Sequence, residues 1–451
     1  MKNNNAKVAK NLFEELYPIC RSITGNGVRD TLQILQEYAP WHVHEFCSGT
    51  QVFDWIIPDE WNIKDAYVKN EQGIRVIDFN ASNIHVLNYS EPIRGNFSFD
   101  KLKDRLYTLP EFPEAIPYRT SYFNRNWGFC LSQNQYDKLN KNEQYEVCID
   151  STLEPGHLTL ADMELKGSEG KRTYIISTYC CHPSLCNDNL SGPILTTLLY
   201  QALEKMDLRH NYRFVIAPET IGIITYIHAN EEFFRDVDGG FVITTVAGPG
   251  EFGAKMSFSH NADVDRVIRL GFGERKMKYN EYSFAPDGSD ERQYSSPSFR
   301  IPIATITKDK YYEYKEYHTS KDDLDFVSGD ALSETLELYI SAIEKLEVNN
   351  IYRVLEDRCE IQLGKRGLYP TVSGHVKQSA NEANESSPKV IGDIIYSNAI
   401  DAISWFLFYA DGKTDLVTIS EKSGVPVIQL HKVAQKMLKE NVVALVEDPN
   451  G

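Results

Sequence analysis

The stretch YIISTY (174–179) runs directly into CCHPSLCNDNLSG (180–192): an apolar run of strand length, then a polar loop carrying His182 and Asp188. GPILTTLLYQALEKM (192–206) follows with the length and spacing of a helix. The same unit recurs outward along the chain. RFVIAP (213–218), GFVITTV (240–246) and IPIATIT (301–307) read as further buried strands, with IGIITYIHANEEFF (221–234) and VDRVIRLGF (264–272) as helices between them. Buried strands alternating with amphipathic helices predict an α/β fold, a mixed sheet flanked by helices, from Tyr145 to about Asn350. Sites on such sheets lie in loops at the carboxyl ends of the strands, so the residues just after each run hold the candidate chemistry.

Toward the amino terminus, KVAKNLFEELYP (7–18) puts Val8, Leu12, Phe13 and Leu16 on one helical face. RDTLQILQEY (29–38) repeats that spacing, and WHVHEF reads as a strand. From residue 49 to 135 the texture changes to aromatic and proline-rich segments such as VFDWIIPDEW, HVLNYSEP and FPEAIPYRTSYFNRNWGFC. Short alternating runs with turn dipeptides predict a β-rich insertion at 49–135 with its own small core, dividing one α/β domain into 1–48 and 136–350. SANEANESSP (379–388) reads as a linker. Beyond it NAIDAISWFLFYADG, DLVTISEKSG and VPVIQLHKVAQKMLKENVV read as three helices, the outline of a winged helix-turn-helix module within 351–451.

Composition narrows the functional classes. The 451 residues hold 47 Lys and Arg against 64 Asp and Glu, a net charge of −17 that repels phosphate backbones and anionic lipid. With 26 Tyr, 21 Phe and 5 Trp there is ample material for a core. The first twenty residues lack the apolar block of a secretory signal, and AISWFLFYA (402–410) is about half the length needed to span a bilayer. Eight irregularly spaced cysteines do not make a disulfide framework, which predicts a reduced, cytoplasmic protein. Residues 351–451 carry 11 Lys and Arg against 13 Asp and Glu, and Lys432, Lys436 and Lys439 share one face of the last helix. Such near-neutrality does not favour DNA, and the module is expected to pack within the chain or between subunits of a homo-oligomer.

His182 and Asp188 are ligand types for catalytic zinc with an open coordination position, although Asp188, Asn189 or Ser191 is equally suited to cap the helix that follows. Glu219 in APETIG (217–222) falls in the first turn of a helix, where the dipole favours a carboxylate in any case. His318 follows a Tyr-rich loop in EYHTSKDDLDFV (316–327). SFAPDGSDERQYSSP (283–297) clusters Asp287, Asp290, Glu291 and Arg292. A loop His or such a charge cluster is also common as a solvated feature.

The succession His, Asp, Glu, Asp, His at the strand ends of one domain resembles the co-catalytic zinc aminopeptidase superfamily, which includes glutaminyl cyclases. DNLSG (188–192), ETIG (219–222), GSDERQY (288–294) and HTSKDDLDF (318–326) match its motifs in order and character. The chain is similar over nearly its whole length to a bacterial family of aminopeptidase-like proteins with a β insertion and a C-terminal winged helix. The stretches that carry this likeness include PICRSITGNG (18–27), FDWIIPDEW (53–61), IPYRTSYF (116–123), WGFC (127–130), CHPSLCNDNLSG (181–192), YHTS (317–320) and LGKRGLYP (363–370). Members of that family often accompany surface-polysaccharide and modified-sugar genes.

The departures from the superfamily pattern are specific. His182 is followed by Pro183-Ser184 instead of x-Asp, Glu219 by Thr220 instead of a second Glu, and Thr244 and Thr245 stand where a ligand Asp is usual. The resemblance therefore implies one zinc on His182, Asp188 and His318, with Glu219 as general base or as a fourth ligand. Asp290 is expected beside the ligands or at the substrate amine. Arg21 and Arg119 are expected to bind a substrate carboxylate or to form structural ion pairs. Cys180, Cys181 and Cys186 read as packing residues. The implied activity is hydrolysis of an amide bond in a small molecule or short peptide, by an aminopeptidase or a deacylase. The alternative is a non-catalytic binding or regulatory protein on the same fold.

Overall fold

The computed structural model describes residues 2–286, 288–366, 389–391, 394–396 and 399–446. Asp287, the linker 379–388 and the end of LGKRGLYP lie outside the described residues. The chain divides into two compact units, Met1–Ile268 with Lys278–Ile340, and Arg269–Met277 with Ser341–Gly451.

The frame of the first unit is an eight-stranded mixed sheet. Its order is His42–Cys47, His157–Leu165, Asn211–Ala217, Thr173–Tyr179, Gly239–Val242, Ile303–Lys308, Phe252–Lys255 and Asn280–Tyr282. The central four strands run parallel, with Ile176 opposite Phe214 on one side and Phe241 on the other. Each of these three side chains is buried, so the strands read as continuous apolar runs instead of alternating ones. The helix Ser191–Leu203 is likewise buried at every residue from Ser191 to Tyr200. The expected strand 240–246 ends early, at Val242. Beyond it Thr244 and Thr245 turn into the loops above the sheet, Thr245 with φ 50°.

A second sheet has the order Arg75–Asp78, Glu60–Lys69, Gln144–Glu154, Ile93–Ser98, all antiparallel. It corrects the expected insertion limits. Gln144–Glu154 pairs with both Glu60–Lys69 and Ile93–Ser98, so the sheet takes a central strand from beyond residue 135. Nor is its core separate: Trp61, Val68, Val147 and Ile149 share one buried cluster with Leu158, Ile175 and Val215 of the main sheet. Both surfaces are apolar, and merging them removes more area from water than two small cores could.

Arg29, on the helix Asn26–Gln36, bridges the two sheets. Its guanidinium meets Glu60 through Nη1 and Nη2 at 2.7 and 2.8 Å and Glu45 through Nε at 2.6 Å. Those hydrogen bonds hold the Glu60 carboxyl down at about 2. A depressed carboxylate adds stability above its unfolded pKa, here near 4.5, and loses it as pH falls toward 2. Glu60→Gln is therefore expected to cost about 1 kcal/mol at pH 7 once solvent screening is allowed for. Urea unfolding should show the gap from wild type closing between pH 4.5 and 2, and a pH-independent gap refutes the pairing.

In the second unit three helices, Ala399–Tyr409, Leu416–Ser423 and Val427–Lys439, accompany an antiparallel sheet of Asp411–Asp415, Ile351–Val354 and Val443–Leu445. The Asp415 side chain caps Leu416–Ser423 by accepting from Thr418 N at 2.7 Å. Phe406, Leu416, Ile419, Leu430, Val433 and Met437 are buried. No helix among the described residues is long and apolar enough to cross a membrane. All eight cysteines are free thiols.

Candidate active site

The loops at the carboxyl ends of the parallel strands bring His182, Asp188, Glu219 and His318 together, and Asp290 joins them from the segment between Asn280–Tyr282 and Ile303–Lys308. The loop after Thr173–Tyr179 is fixed by its own side chains. Asn189 Oδ1 accepts from Gly192 N at 3.0 Å, Asn189 Nδ2 donates to Thr178 Oγ1 at 3.1 Å, and Ser191 Oγ donates to Asn187 O at 2.7 Å. Asn189 thus takes up a backbone N–H of the first helical turn, while the Asp188 carboxylate accepts from Tyr179 Oη. Gly192 is required here, since a Cβ would lie 2.2 Å from Thr178 Oγ1 and 2.6 Å from Ile243 O.

The ligand atoms of His182, Asp188 and His318 all lie within 4.8 Å of one another. Burial pushes His182 down to about 4, so at neutral pH its ring is uncharged, the form that ligates metals. Burial alone would raise the Asp188 carboxyl, but His182 and His318 and the Tyr179 hydroxyl outweigh it and hold the group low. Asp188 Oδ2 and His318 Nε2 approach to 2.9 Å, yet each is buried and lacks a partner in hydrogen-bonding geometry. Two such atoms, close but not aligned with each other, suit a cation that both would coordinate.

Glu219 does not join that trio; its carboxyl groups instead with Cys181 and His182. It precedes the helix Ile221–Ala229 by two residues instead of lying in its first turn. Ser289 Oγ donates to Glu219 Oε1 at 2.9 Å. Burial and then the Asp188 charge push its carboxyl up to about 7. Asp290 is fully buried. Its Oδ1 accepts from Thr220 N at 2.7 Å and its Oδ2 has no partner, while burial and the nearby Glu219 raise it well above the carboxylate range. Beneath this loop Lys255 and Glu291 form a buried ion pair, and Lys255 Nζ also reaches Tyr311 Oη at 2.9 Å.

The two arginines part company. Arg21 is 1% exposed and is occupied with the chain itself: Nε donates to His182 O at 2.9 Å and Nη1 to Leu16 O at 2.9 Å. The expectation that it binds a substrate carboxylate is corrected, because its guanidinium is buried under the His182 loop. Arg119 is exposed, next to Tyr118.

Several residues take part in the site in ways that the motifs did not show. Asp322 accepts from Asn187 N at 2.6 Å and Asp188 N at 2.9 Å, and Tyr314 Oη donates to it at 3.0 Å. Thr244, which with Thr245 stands where the resemblance leads one to expect a ligand Asp, shares a hydrogen bond with Tyr179 Oη at 2.7 Å, and Tyr179 in turn donates to Asp188. Tyr118 lies edge-on to His318 and tilted over His182, with ring centroids 5.2 and 5.1 Å away. Its backbone N donates to His318 O at 2.7 Å, which pins the His318 loop to the insertion. Cys181, read as packing, is in the core cluster, but its sulfur also accepts from Glu219 N at 3.5 Å. Asp322→Ala should cost about 2–3 kcal/mol, the scale of two buried charge-assisted bonds. An unfolding free energy equal to wild type refutes the clamp.

The family model described as a domain of unknown function, DUF4910, matches residues 10–349. The chain belongs to this family. A relative from Clostridium acetobutylicum, named "Putative polysaccharide biosynthesis protein with aminopeptidase-like domain", is 41% identical over 436 residues, 97% of this chain and 96% of its own length. A crystal structure of a "putative peptidase" from the same organism matches with TM-score 0.88 at 39% identity, over 99% of this chain and 97% of that one. The zinc aminopeptidase BSAP of Bacillus subtilis matches with TM-score 0.55 at 12% identity, over 76% of this chain and 95% of its own. At that identity the likeness shows the fold alone. The DUF4910 chain thus has the aminopeptidase-like α/β architecture that its strand-end motifs predicted.

Proposed function

We propose that this DUF4910 chain is a zinc-dependent hydrolase of an amide bond, of aminopeptidase or deacylase type, acting in polysaccharide or modified-sugar metabolism. The observation that carries it is the close approach of two buried atoms, Asp188 Oδ2 and His318 Nε2, 2.9 Å apart but not aligned for a hydrogen bond, beside a neutral His182. These three residues would hold zinc, whose Lewis acidity polarises a carbonyl and acidifies water. Glu219, raised to about 7 and oriented by Ser289, takes a proton from the attacking water and returns it to the leaving amine. Asp290, through Thr220 N, fixes the backbone next to Glu219. The name of the Clostridium acetobutylicum relative supports the sugar context.

A specific observation favours the rival, a binding or regulatory protein. Thr220 and Thr244 stand at two former ligand positions, and Thr244 is engaged in hydrogen bonding to Tyr179. The two readings separate when chelator-free protein is assayed for zinc and then for turnover on aminoacyl and N-acyl amino-sugar amides. Zinc with turnover supports the hydrolase; zinc-loaded, well-folded protein that turns over nothing supports the rival. The second unit is read as a winged helix that serves packing, because its near-zero net charge offers few phosphate contacts.

A further inference from the structure

A histidine that holds a metal through one ring nitrogen donates the hydrogen on the other to an acceptor, which fixes its tautomer and its orientation. The sequence after His182 supplies no carboxylate for this. Pro183 and Ser184 follow, and Ser184 Oγ donates to Tyr17 O at 2.6 Å.

The acceptor that faces the ring is a sulfur. His182 Nδ1 lies 3.6 Å from Cys181 Sγ, a hydrogen-bonding distance for a thiol. The sulfur is itself held in place: Cys181 is 1% exposed, and Glu219 N donates to Sγ at 3.5 Å. Packing sets the rest of the ring, with Tyr118 and Tyr179 tilted against it at 5.1 and 5.4 Å. Sγ, a ring nitrogen of His182 and a carboxylate oxygen of Glu219 all lie within 4.8 Å of one another. A cation on that trio would have to share His182 with Asp188 and His318. The hydrogen that makes Nδ1 a donor to sulfur bars the same nitrogen from ligating.

We infer that Cys181 is a positioning residue for the candidate metal site, its sulfur accepting the Nδ1 hydrogen of His182 so that Nε2 is left bare for a metal. The bond from Glu219 N to the same sulfur seats the proposed base beside that ring. The role deepens the hydrolase reading and rests on it only for what Nε2 binds. Cys180, one residue earlier, faces Arg21 and Thr31 instead and serves as the control.

The test contrasts Cys181→Val with Cys181→Ser in the full chain. Val keeps apolar bulk and accepts no hydrogen bond, whereas Ser is smaller and accepts one. A packing residue is rescued by Val, an acceptor by Ser. NMR spectra of zinc-free protein labelled at its histidine ring nitrogens read the tautomer directly, the His182 signals being identified by their loss in His182→Gln. Wild type and Cys181→Ser should carry the hydrogen on Nδ1, and Cys181→Val on Nε2. Zinc affinity, read by competition with a chelating dye, should fall by about 10–100-fold in Cys181→Val and recover in Cys181→Ser. Cys181→Ala removes the acceptor without adding bulk and should behave like Cys181→Val, so a packing clash in one leaves the test standing. Cys180→Ala should match wild type in both measurements. An unaltered tautomer in Cys181→Val and Cys181→Ala, or zinc affinity that Val preserves and Ser loses, overturns the role. So does a thiolate-to-metal charge-transfer band in cobalt-substituted wild type, which makes Cys181 a ligand. A tautomer switch in a chain that binds no zinc keeps Cys181 as the residue that sets the ring and removes the zinc hydrolase. Zinc binding and turnover that Cys181→Val leaves equal to wild type keep the hydrolase and remove the role of Cys181.

Discussion

Glu219→Gln is expected to keep the zinc content of wild type and to lose about 10²–10⁴-fold in turnover on any amide the wild type hydrolyses. Gln preserves the size of the side chain and can still take the hydrogen bond from Ser289 Oγ, now 2.9 Å from Glu219 Oε1. What it lacks is basicity. Burial, and then the Asp188 charge, lift the Glu219 carboxyl to about 7, close to the pH at which a general base both is ionised and retains proton affinity. A bound cation pulls the same group down, so the acid limb of the wild-type rate profile should fall at or below about pH 7 and be missing from the variant's residual activity. The alternative assignment, Glu219 as a fourth ligand, predicts something different: zinc affinity and turnover fall together. Its carboxyl groups with Cys181 and His182, and it shares His182 with the Asp188–His318 pair, so the zinc content of the variant is what separates the two assignments. Unchanged turnover removes Glu219 from the chemistry under either assignment.

The central sheet was legible in the sequence because its strands are buried on both faces. YIISTY, RFVIAP and IPIATIT are apolar at nearly every position, so no alternation had to be resolved. His182, Asp188, Glu219 and His318 were legible for a related reason, since strand-end loops in such sheets converge. The insertion's boundary was not. Gln144–Glu154 alternates like any half-buried strand, and nothing local says which sheet it joins; that is settled by pairing with Glu60–Lys69, far away in sequence. Arg21 misled because a guanidinium among polar residues, in CRSITG, looks available, while its engagement with the carbonyls of His182 and Leu16 depends on a contact 161 residues distant. Asp322 lay in the quoted HTSKDDLDF stretch, but its hold on Asn187 N and Asp188 N, 135 and 134 residues away, and the bond from the Tyr179 hydroxyl to Asp188 could not be read from spacing. Thr244 is instructive in the other direction: its departure from the superfamily pattern was visible, but its new role, holding Tyr179 against Asp188, requires coordinates.

His318→Ala and Asp188→Asn should both abolish stoichiometric zinc, from about one ion per chain, and both should weaken the zinc-free protein, for different reasons. Changing the partner of a zinc ligand already costs about 10–100-fold in affinity, so removing a ligand itself should cost more than about 100-fold. His318→Ala deletes a ring that stacks on Tyr317 at 4.0 Å and contacts Tyr118, so the zinc-free variant should also lose packing and unfold more easily. Asp188→Asn removes a buried charge. That charge is held low against burial by His182, by His318 2.9 Å away and by the Tyr179 hydroxyl, so it stabilises the fold above the ordinary carboxylate range. The zinc-free Asp188→Asn protein should therefore be less stable than zinc-free wild type at neutral pH, while excess zinc should raise the melting temperature of wild type only. Elemental analysis and melting curves with and without zinc decide the matter. Equal zinc in Asp188→Asn and wild type, or equal stabilisation by zinc, would mean that His182, Asp188 and His318 form a polar core and not a metal site, because a ligand whose charge can be deleted without loss is not holding a cation.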